Sequence, residues 1–238
     1  MEPKSFVLDV AEVDRERLDR IDVYRPADAP SGERRPLIVF VHGGPMPPDM
    51  RPGPRDWPIF VGYGSLAAEY GTVGVTVEHH FYSGADCASA ADEIAAAVAE
   101  ARALPGVDPD RVAIWFFSGG GILAADWLLD PPQWLRCLAL SYPVVVPPPE
   151  WGIDERFRPE VTVASAGELP ILLTRVGLER AEFASGVEAF VSVARSHNVN
   201  LEIVDVPDGR HGFDMLDHAD ASRAAVTRAM KWVVNNLA

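Results

Sequence analysis

The sequence has few cysteines, few positive charges and no long apolar run, and each shortage excludes a class of protein. Cys87 and Cys137 are its two cysteines; they lie far apart, match no metal-ligand spacing, and are predicted to be buried free thiols. Lysine and arginine total 21 against 35 aspartates and glutamates, and the formal net charge is -14. Such a chain repels phosphate groups, so we expect neither nucleic acid nor an anionic membrane as a partner.

No apolar run approaches the roughly 20 residues that a membrane helix needs. Residues 1–5 open no signal-peptide pattern, so we expect a cytoplasmic protein. With 238 residues, 48% of them hydrophobic and 24% charged, the composition is typical of one globular domain, here residues 1–238. The sequence shows no internal repeat or linker, and it leaves homo-oligomerisation open.

From residue 37 onward, short apolar runs alternate with segments of helical periodicity. This alternation predicts an α/β fold with a mostly parallel central sheet and helices on both faces. The predicted strands cover residues 37–41, 72–77, 111–117, 135–141, 171–176 and 201–206. The clearest helices are predicted at residues 88–102, 118–129, 183–196 and 221–237.

Two further segments complete the predicted architecture. Residues 5–10 and 17–24 alternate apolar and polar side chains, which predicts an N-terminal antiparallel edge with one solvated face. Residues 143–170 are rich in proline and show no periodicity. Long irregular segments are often functional, so this one either borders a site or is a plain surface excursion.

An apolar run from Val112 to Phe117 ends on Ser118, which three glycines follow. A strand that turns sharply into a helix exposes the residue at the turn, and small residues must follow so that strand and helix can pass closely. Ser118 is therefore a candidate nucleophile, and the N–H of Gly119 is a candidate oxyanion donor. The same turn is also typical of a helix start or of a phosphate-binding loop, so other residues of the chain are needed to distinguish a nucleophile from these alternatives.

Acyl transfer by a serine also needs a base, an orienting carboxylate and a second oxyanion donor. Open α/β sheets place such groups beyond the carboxyl ends of their strands. After the first parallel strand, His42 precedes two glycines; we interpret His42 as fixing the loop and the N–H of Gly44 as the second donor. After the last strand, His211 lies between Gly209 and Gly212 and is the predicted general base.

Glu179, which follows the strand at 171–176, is the predicted orienting acid. Glu150 and Asp154, after the preceding strand, are the alternatives, and a Glu179 that merely pairs with Arg180 at the surface would have no such role. The other histidines are interpreted as loop or surface residues; they are His79, His80, His197 and His218.

With these residues in place, the sequence resembles the α/β-hydrolase superfamily, and within it the dienelactone-hydrolase-like and esterase-like branch. The resemblance covers nearly the whole chain. It is carried by the His-Gly-Gly-Pro loop at His42, the Phe-Ser-Gly-Gly-Gly elbow at Ser118, the Asp-Pro-Asp-Arg-Val-Ala segment at Asp108 and the His-Gly-Phe-Asp segment at His211. The chain order of serine, acid and histidine is also that of the superfamily.

The resemblance implies a hydrolase that uses no metal and no cofactor. Ser118 would be its nucleophile, Glu179 its acid and His211 its base, with the N–H groups of Gly44 and Gly119 as oxyanion donors. The substrate expected from it is a small carboxylic ester, lactone or thioester, cleaved through an acyl-enzyme.

Two residues depart from the family pattern. Phe116 stands two positions before the nucleophile, where the family usually has glycine, and the acid is glutamate where aspartate is commoner. The segment after Tyr142 is too short for a large cap domain, and Tyr142 and Trp151 are expected to form walls of the site. One alternative is an acyltransferase or cyclase on the same fold. Another is a non-catalytic relative that binds a small molecule, and Phe116 is the residue that suggests it.

Overall fold

The computed structural model describes residues 5–27 and 32–238. Its strands are β1 (Arg15–Arg17), β2 (Ile21–Tyr24), β3 (Arg35–Val41), β4 (Val73–Val77), β5 (Val107–Phe117), β6 (Leu135–Ser141), β7 (Ile171–Leu178) and β8 (Leu201–Arg210). They form one sheet in the order β1-β2-β4-β3-β5-β6-β7-β8. The pairs from β4 to β8 are parallel, and β1 and β2 form an antiparallel edge. The predicted mostly parallel sheet is confirmed.

Helices cover both faces of this sheet. They are α1 (Pro58–Glu69), α2 (Cys87–Arg102), α3 (Ala125–Leu129), α4 (Pro159–Thr162), α5 (Ala181–Ser196), α6 (Phe213–Leu216) and α7 (Asp220–Asn236). Side chains of β5 alternate between the two layers, as the pleat requires. Trp115 and Phe117 pack on the side of α1 and α7, whereas Ile114 and Phe116 pack on the side of α2 and α5.

The predicted N-terminal antiparallel edge is present, but its first strand is β1 and does not lie at residues 5–10. Residues 5–10 form no strand, and β2 pairs with β1, with Arg15 opposite Tyr24. Phe6 and Val7 are both buried, so the segment lacks the alternation of a strand with one wet face. The ring of Phe6 packs 4.8 Å from that of Tyr63 in α1, and the N–H of Val7 donates to the carbonyl of Asp214 at 2.9 Å. Packing against two helices has replaced strand pairing.

The single helix predicted at residues 118–129 is also wrong in its first half. Residues Ser118–Ala124 form 3-10 turns, and the α-helical geometry begins only at Ala125. The three glycines explain this, because glycine is a poor helix former and here has to pass close to another loop. A Cβ on Gly119 would collide with the carbonyl oxygen of Gly44, and one on Gly120 would collide with that of His42.

The helix α1 was not predicted from the sequence. Eight of its twelve residues are buried, so it lacks the one-sided apolar stripe by which a surface helix is recognised. Between β6 and β7 the described chain has only short helical turns, at Pro149–Trp151, α4 and Val163–Ser165, and no large cap. Within residues 5–27 and 32–238, no helix has the length and apolar character needed to cross a membrane.

Candidate active site

Five of the predicted site residues are each the first residue beyond a parallel strand. His42 follows β3, Ser118 follows β5, Tyr142 follows β6, Glu179 follows β7 and His211 follows β8. These five strands are consecutive neighbours in the sheet and parallel to one another. Their carboxyl ends therefore meet at one edge, which is where open α/β sheets place their sites.

Ser118 occupies a strained turn. Its φ is 52°, in the left-handed region that residues with a Cβ rarely adopt, whereas Phe117 before it is extended. The Ser118 carbonyl accepts the N–H of Val144 at 2.9 Å, which ties the turn to the loop after β6. Phe116, the bulky residue at the family's glycine position, is fully buried among side chains on the α2 side of the sheet. The turn accommodates it without placing its ring at the serine.

A continuous hydrogen-bonded chain links the predicted serine, histidine and acid. The Ser118 hydroxyl oxygen lies 2.6 Å from His211 Nε2, and His211 Nδ1 lies 2.6 Å from a carboxylate oxygen of Glu179. An Nδ1–H that donates to the carboxylate leaves Nε2 free to accept the serine proton. The second Glu179 oxygen accepts the backbone N–H of Arg180 at 2.8 Å, and the side chain is only 6% exposed.

The alternative acids lie elsewhere. Glu150 belongs to the exposed turn Pro149–Trp151, and Asp154 accepts the backbone N–H of Arg156 at 2.8 Å. In the part of the chain that the structure describes, Glu179 is the one carboxylate hydrogen-bonded to His211.

The remaining histidines are bound to other groups. His80 pairs with Glu93 at 2.9 Å, the exposed His197 contacts the carbonyl of Val193 at 3.0 Å, and His218 lies 3.5 Å from the hydroxyl of Ser5. None of these contacts involves the elbow serine.

The loop after β3 lies directly against the serine turn. His42 is buried, its Nδ1 donates to the carbonyl of Gly43 at 2.7 Å, and its ring stacks on that of His79 at 3.7 Å. Burial, together with the neighbouring His79, holds the pKa of His42 well below its ordinary value, so its ring stays neutral. A Cβ on Gly44 would stand 2.5 Å from the Phe81 ring. A Cβ on Gly119 would collide with the carbonyl oxygen of Gly44, so the backbones of these two glycines pack together beside Ser118.

A cavity of about 220 Å³ opens at Ser118 and His211. Its other walls are mostly apolar; they are Gly43, Gly44, Pro45, Met46, Trp57, Ile59, Phe60, Phe117, Tyr142, Gly212 and Met215. Tyr142 lines it. Trp151 does not line it: it packs edge-on against Phe81 at 6.5 Å and Phe183 at 6.4 Å, and the Phe183 ring in turn lies 5.8 Å from that of His211.

Two parts of this site were not predicted from the sequence. The first is the wall supplied by Trp57, Ile59 and Phe60 at the start of α1, a helix that was not predicted. The second is Asp214, a fully buried carboxyl group three residues after His211. Its burial raises its pKa to about 7. The His-Gly-Phe-Asp segment contains this residue, but nothing in the sequence shows that it is buried.

Metal chemistry has no candidate ligand set in this region. Within the described residues, no three side chains of histidine, cysteine, aspartate or glutamate lie close enough together to hold a metal ion.

Comparison with known proteins gives structural matches alone. No protein-family model matches the chain, and no curated protein matches its sequence. Esterase 2 of Thermogutta terrifontis, solved phosphoramylated by tabun, superposes with a TM-score of 0.68 at 21% identity, covering 98% of this chain and 93% of that one. The same esterase has been solved with butyrate and with propionate bound.

Two further structures are similar. A mutant of the esterase rPPE matches with a TM-score of 0.72 at 19% identity, over 97% of this chain and 85% of that one. Dipeptidyl peptidase 4 of Porphyromonas gingivalis matches with a TM-score of 0.68 at 16% identity, over 91% of this chain but 33% of its own length. At these identities the likeness concerns the fold.

Proposed function

We propose that this chain, which has the α/β-hydrolase fold, is a serine hydrolase that cleaves small carboxylic esters, lactones or thioesters. The observation that carries the proposal is the unbroken chain from Ser118 through His211 to Glu179, with 2.6 Å at each contact. The proposed nucleophile, base and orienting acid thus each lie within hydrogen-bonding reach of the next.

The proposed reaction has two stages. The Ser118 oxygen attacks the substrate carbonyl carbon while His211 Nε2 takes the hydroxyl proton, and the Glu179 carboxylate stabilises the imidazolium that forms. The N–H groups of Gly44 and Gly119 donate hydrogen bonds to the carbonyl oxygen as negative charge develops on it. The carbon–oxygen or carbon–sulfur bond then breaks, and His211 returns its proton to the leaving group. In the second stage a water molecule attacks the acyl-enzyme by the same route and releases the acid and the free serine.

The cavity favours a short acyl group. A volume of about 220 Å³ lined by Trp57, Ile59, Phe60 and Met215 suits a few apolar carbons next to the attacked carbonyl. The butyrate and propionate complexes of the Thermogutta terrifontis esterase support the same choice. We therefore propose esters of propionate- to butyrate-sized acids as the first substrates to assay.

A non-catalytic binding protein and an acyltransferase are the two alternatives to this proposal. Phe116, which suggested a non-catalytic binding protein, faces the α2 side of the sheet and does not line the cavity. Acyl transfer to an alcohol or amine shares the first stage with hydrolysis. Analysis of the products with and without an added alcohol would separate hydrolysis from transfer.

A fluorophosphonate probe tests the proposal directly, because covalent labelling requires an activated serine. We expect the wild-type protein to be labelled and to hydrolyse p-nitrophenyl butyrate. Ser118→Ala should lose labelling and should retain less than about a thousandth of the hydrolysis rate. Ser89→Ala is the control, since its hydroxyl donates to the carbonyl of Asp86 on the surface of α2 and should have no effect. Labelling of Ser118→Ala at the wild-type rate would show that another residue is the nucleophile.

A further inference from the structure

A carboxyl group lies buried three residues after the candidate base, and the side-chain donors bound to it are neutral hydroxyl groups. Asp214 is fully buried in α6, and it accepts the hydroxyl of Tyr142 at 2.8 Å and that of Tyr63 at 2.9 Å. Over residues 5–27 and 32–238, no lysine, arginine or histidine side chain forms a hydrogen bond or ion pair with it. Burying a carboxylate in this way is costly, so the position calls for an explanation.

The two hydroxyl groups explain why the residue is an aspartate. Burial raises the pKa of Tyr63 and of Tyr142 well above the ordinary value, so both hydroxyls stay protonated and act as donors. A carboxylate accepts two such donors, one on each oxygen, whereas an asparagine of the same shape has one oxygen and an amide nitrogen that cannot accept. Both donors oppose the increase in the pKa of Asp214 that burial causes.

The carboxyl group joins three segments that build the site. Tyr142 is the residue after β6, with a φ of 37°, and it lines the cavity at Ser118. Tyr63 lies one turn beyond Ile59 and Phe60 in α1, which form another wall. Asp214 itself follows His211 by three residues.

Tyr142 connects the buried carboxyl group to the base. Its ring meets the His211 ring edge-on, with 5.0 Å between the ring centres and 63° between the planes. Since its hydroxyl is held by Asp214, the ring cannot turn or withdraw without breaking a buried hydrogen bond. Movement of the His211 imidazole toward that side is therefore restricted.

We propose that Asp214 is a positioning residue that acts through Tyr142 to hold His211 in line with Ser118. The inference rests on the proposed hydrolase function. Tyr63 from α1 and Tyr142 from the end of β6 donate to Asp214, and the Tyr142 ring contacts His211 at the end of β8. When ionised, its carboxylate also attracts the imidazolium that forms as His211 takes the serine proton. Asp214 touches no reacting atom, so its effect should appear in kcat.

Three variants test this assignment by steady-state hydrolysis of p-nitrophenyl butyrate at pH 8, each with a thermal melt. Asp214→Asn should lower kcat by about 10- to 100-fold, the loss expected for a misplaced catalytic group, with KM changed less than about twofold. Tyr142→Phe removes the hydroxyl that ties the Tyr142 ring to Asp214 and should lower kcat by about tenfold. Tyr63→Phe removes the other hydroxyl from the same carboxylate and should change kcat by less than about threefold.

The paired tyrosine variants decide the matter even if Asp214→Asn fails to fold. A kcat loss in Tyr63→Phe equal to that in Tyr142→Phe would overturn the proposal, because the loss would then follow core hydrogen bonding and not contact with His211. Wild-type kcat in Tyr142→Phe and in a folded Asp214→Asn would also overturn it. An active wild type with unchanged variants refutes this inference alone, whereas an inactive, unlabelled wild type refutes the proposed function and this inference together.

Discussion

Replacing Glu179 with glutamine tests the site most sharply, because the change removes a charge and keeps the side-chain size. In the structure one Glu179 oxygen accepts His211 Nδ1–H at 2.6 Å and the other accepts the Arg180 N–H at 2.8 Å. A glutamine has one oxygen for these two donors. If the oxygen serves Arg180, the amide nitrogen donates to His211 Nδ1. The ring proton then moves to Nε2, which can no longer accept the proton of Ser118.

The expected loss follows from this change of tautomer and from the lost charge. The wrong tautomer in a serine triad costs up to about 10⁴ in kcat. At about 1.36 kcal/mol per factor of ten, this corresponds to roughly 5.5 kcal/mol of transition-state stabilisation. Glu179→Asp keeps the charge but withdraws it by one methylene from a 2.6 Å contact, so its rate should lie between those of wild type and Glu179→Gln.

The assay is steady-state hydrolysis of p-nitrophenyl butyrate, with a thermal melt to show that each variant is folded. Glu188→Gln is the matched control. Glu188 and Glu179 line the same neighbouring cavity of about 500 Å³, but Glu188 pairs with Arg175 and does not touch His211. The control should stay within about twofold of the wild-type kcat, as expected for an exposed ion pair of little energetic weight. A Glu179→Gln variant within tenfold of wild type would show that this carboxylate does not orient the base.

Three further outcomes are expected. His211→Ala should lose nearly as much kcat as Ser118→Ala, whereas His218→Ala should be close to wild type; the reverse pattern would refute the choice of base. Burial raises the pKa of Asp214 from 3.8 to about 7, so the folded protein holds a proton that the unfolded chain releases across this range. Unfolding free energy should therefore fall by about 3 kcal/mol from pH 4 to pH 7 through this group and level off above about pH 8. Urea titrations should show that Asp214→Asn lacks this contribution. Phe116→Ala should cost about 3–5 kcal/mol of unfolding free energy, with kcat within about tenfold of wild type, because the ring is buried away from the cavity.

The sequence by itself determined the parallel sheet and the residues that its strands present at their ends. Buried parallel strands are continuous apolar runs bounded by turn residues, so they can be recognised locally. Ser118 directly follows one such run, and Glu179 and His211 follow two others after a few residues. Parallel strands end at one edge, so the sequence also predicted that these three side chains would lie close together.

Other features depended on contacts between distant segments. The segment at 5–10 has the side-chain pattern of a strand. In the structure the Phe6 ring packs against Tyr63 and the Val7 N–H donates to the carbonyl of Asp214, and these contacts replace strand pairing. Trp151 lies in the irregular segment next to the site, but its ring packs against those of Phe81 and Phe183 and does not line the cavity.

Tertiary structure alone decided the burial of Asp214 and the wall formed by α1. Asp214 accepts hydrogen bonds from the hydroxyls of Tyr63 and Tyr142, which lie 151 and 72 positions away along the chain. The helix α1 is apolar on most of its surface, so its sequence does not indicate which side meets the cavity. Periodicity and turn residues report only on the few positions around them, whereas burial, hydrogen-bond partners and cavity walls are set by whichever distant side chains the fold brings into contact.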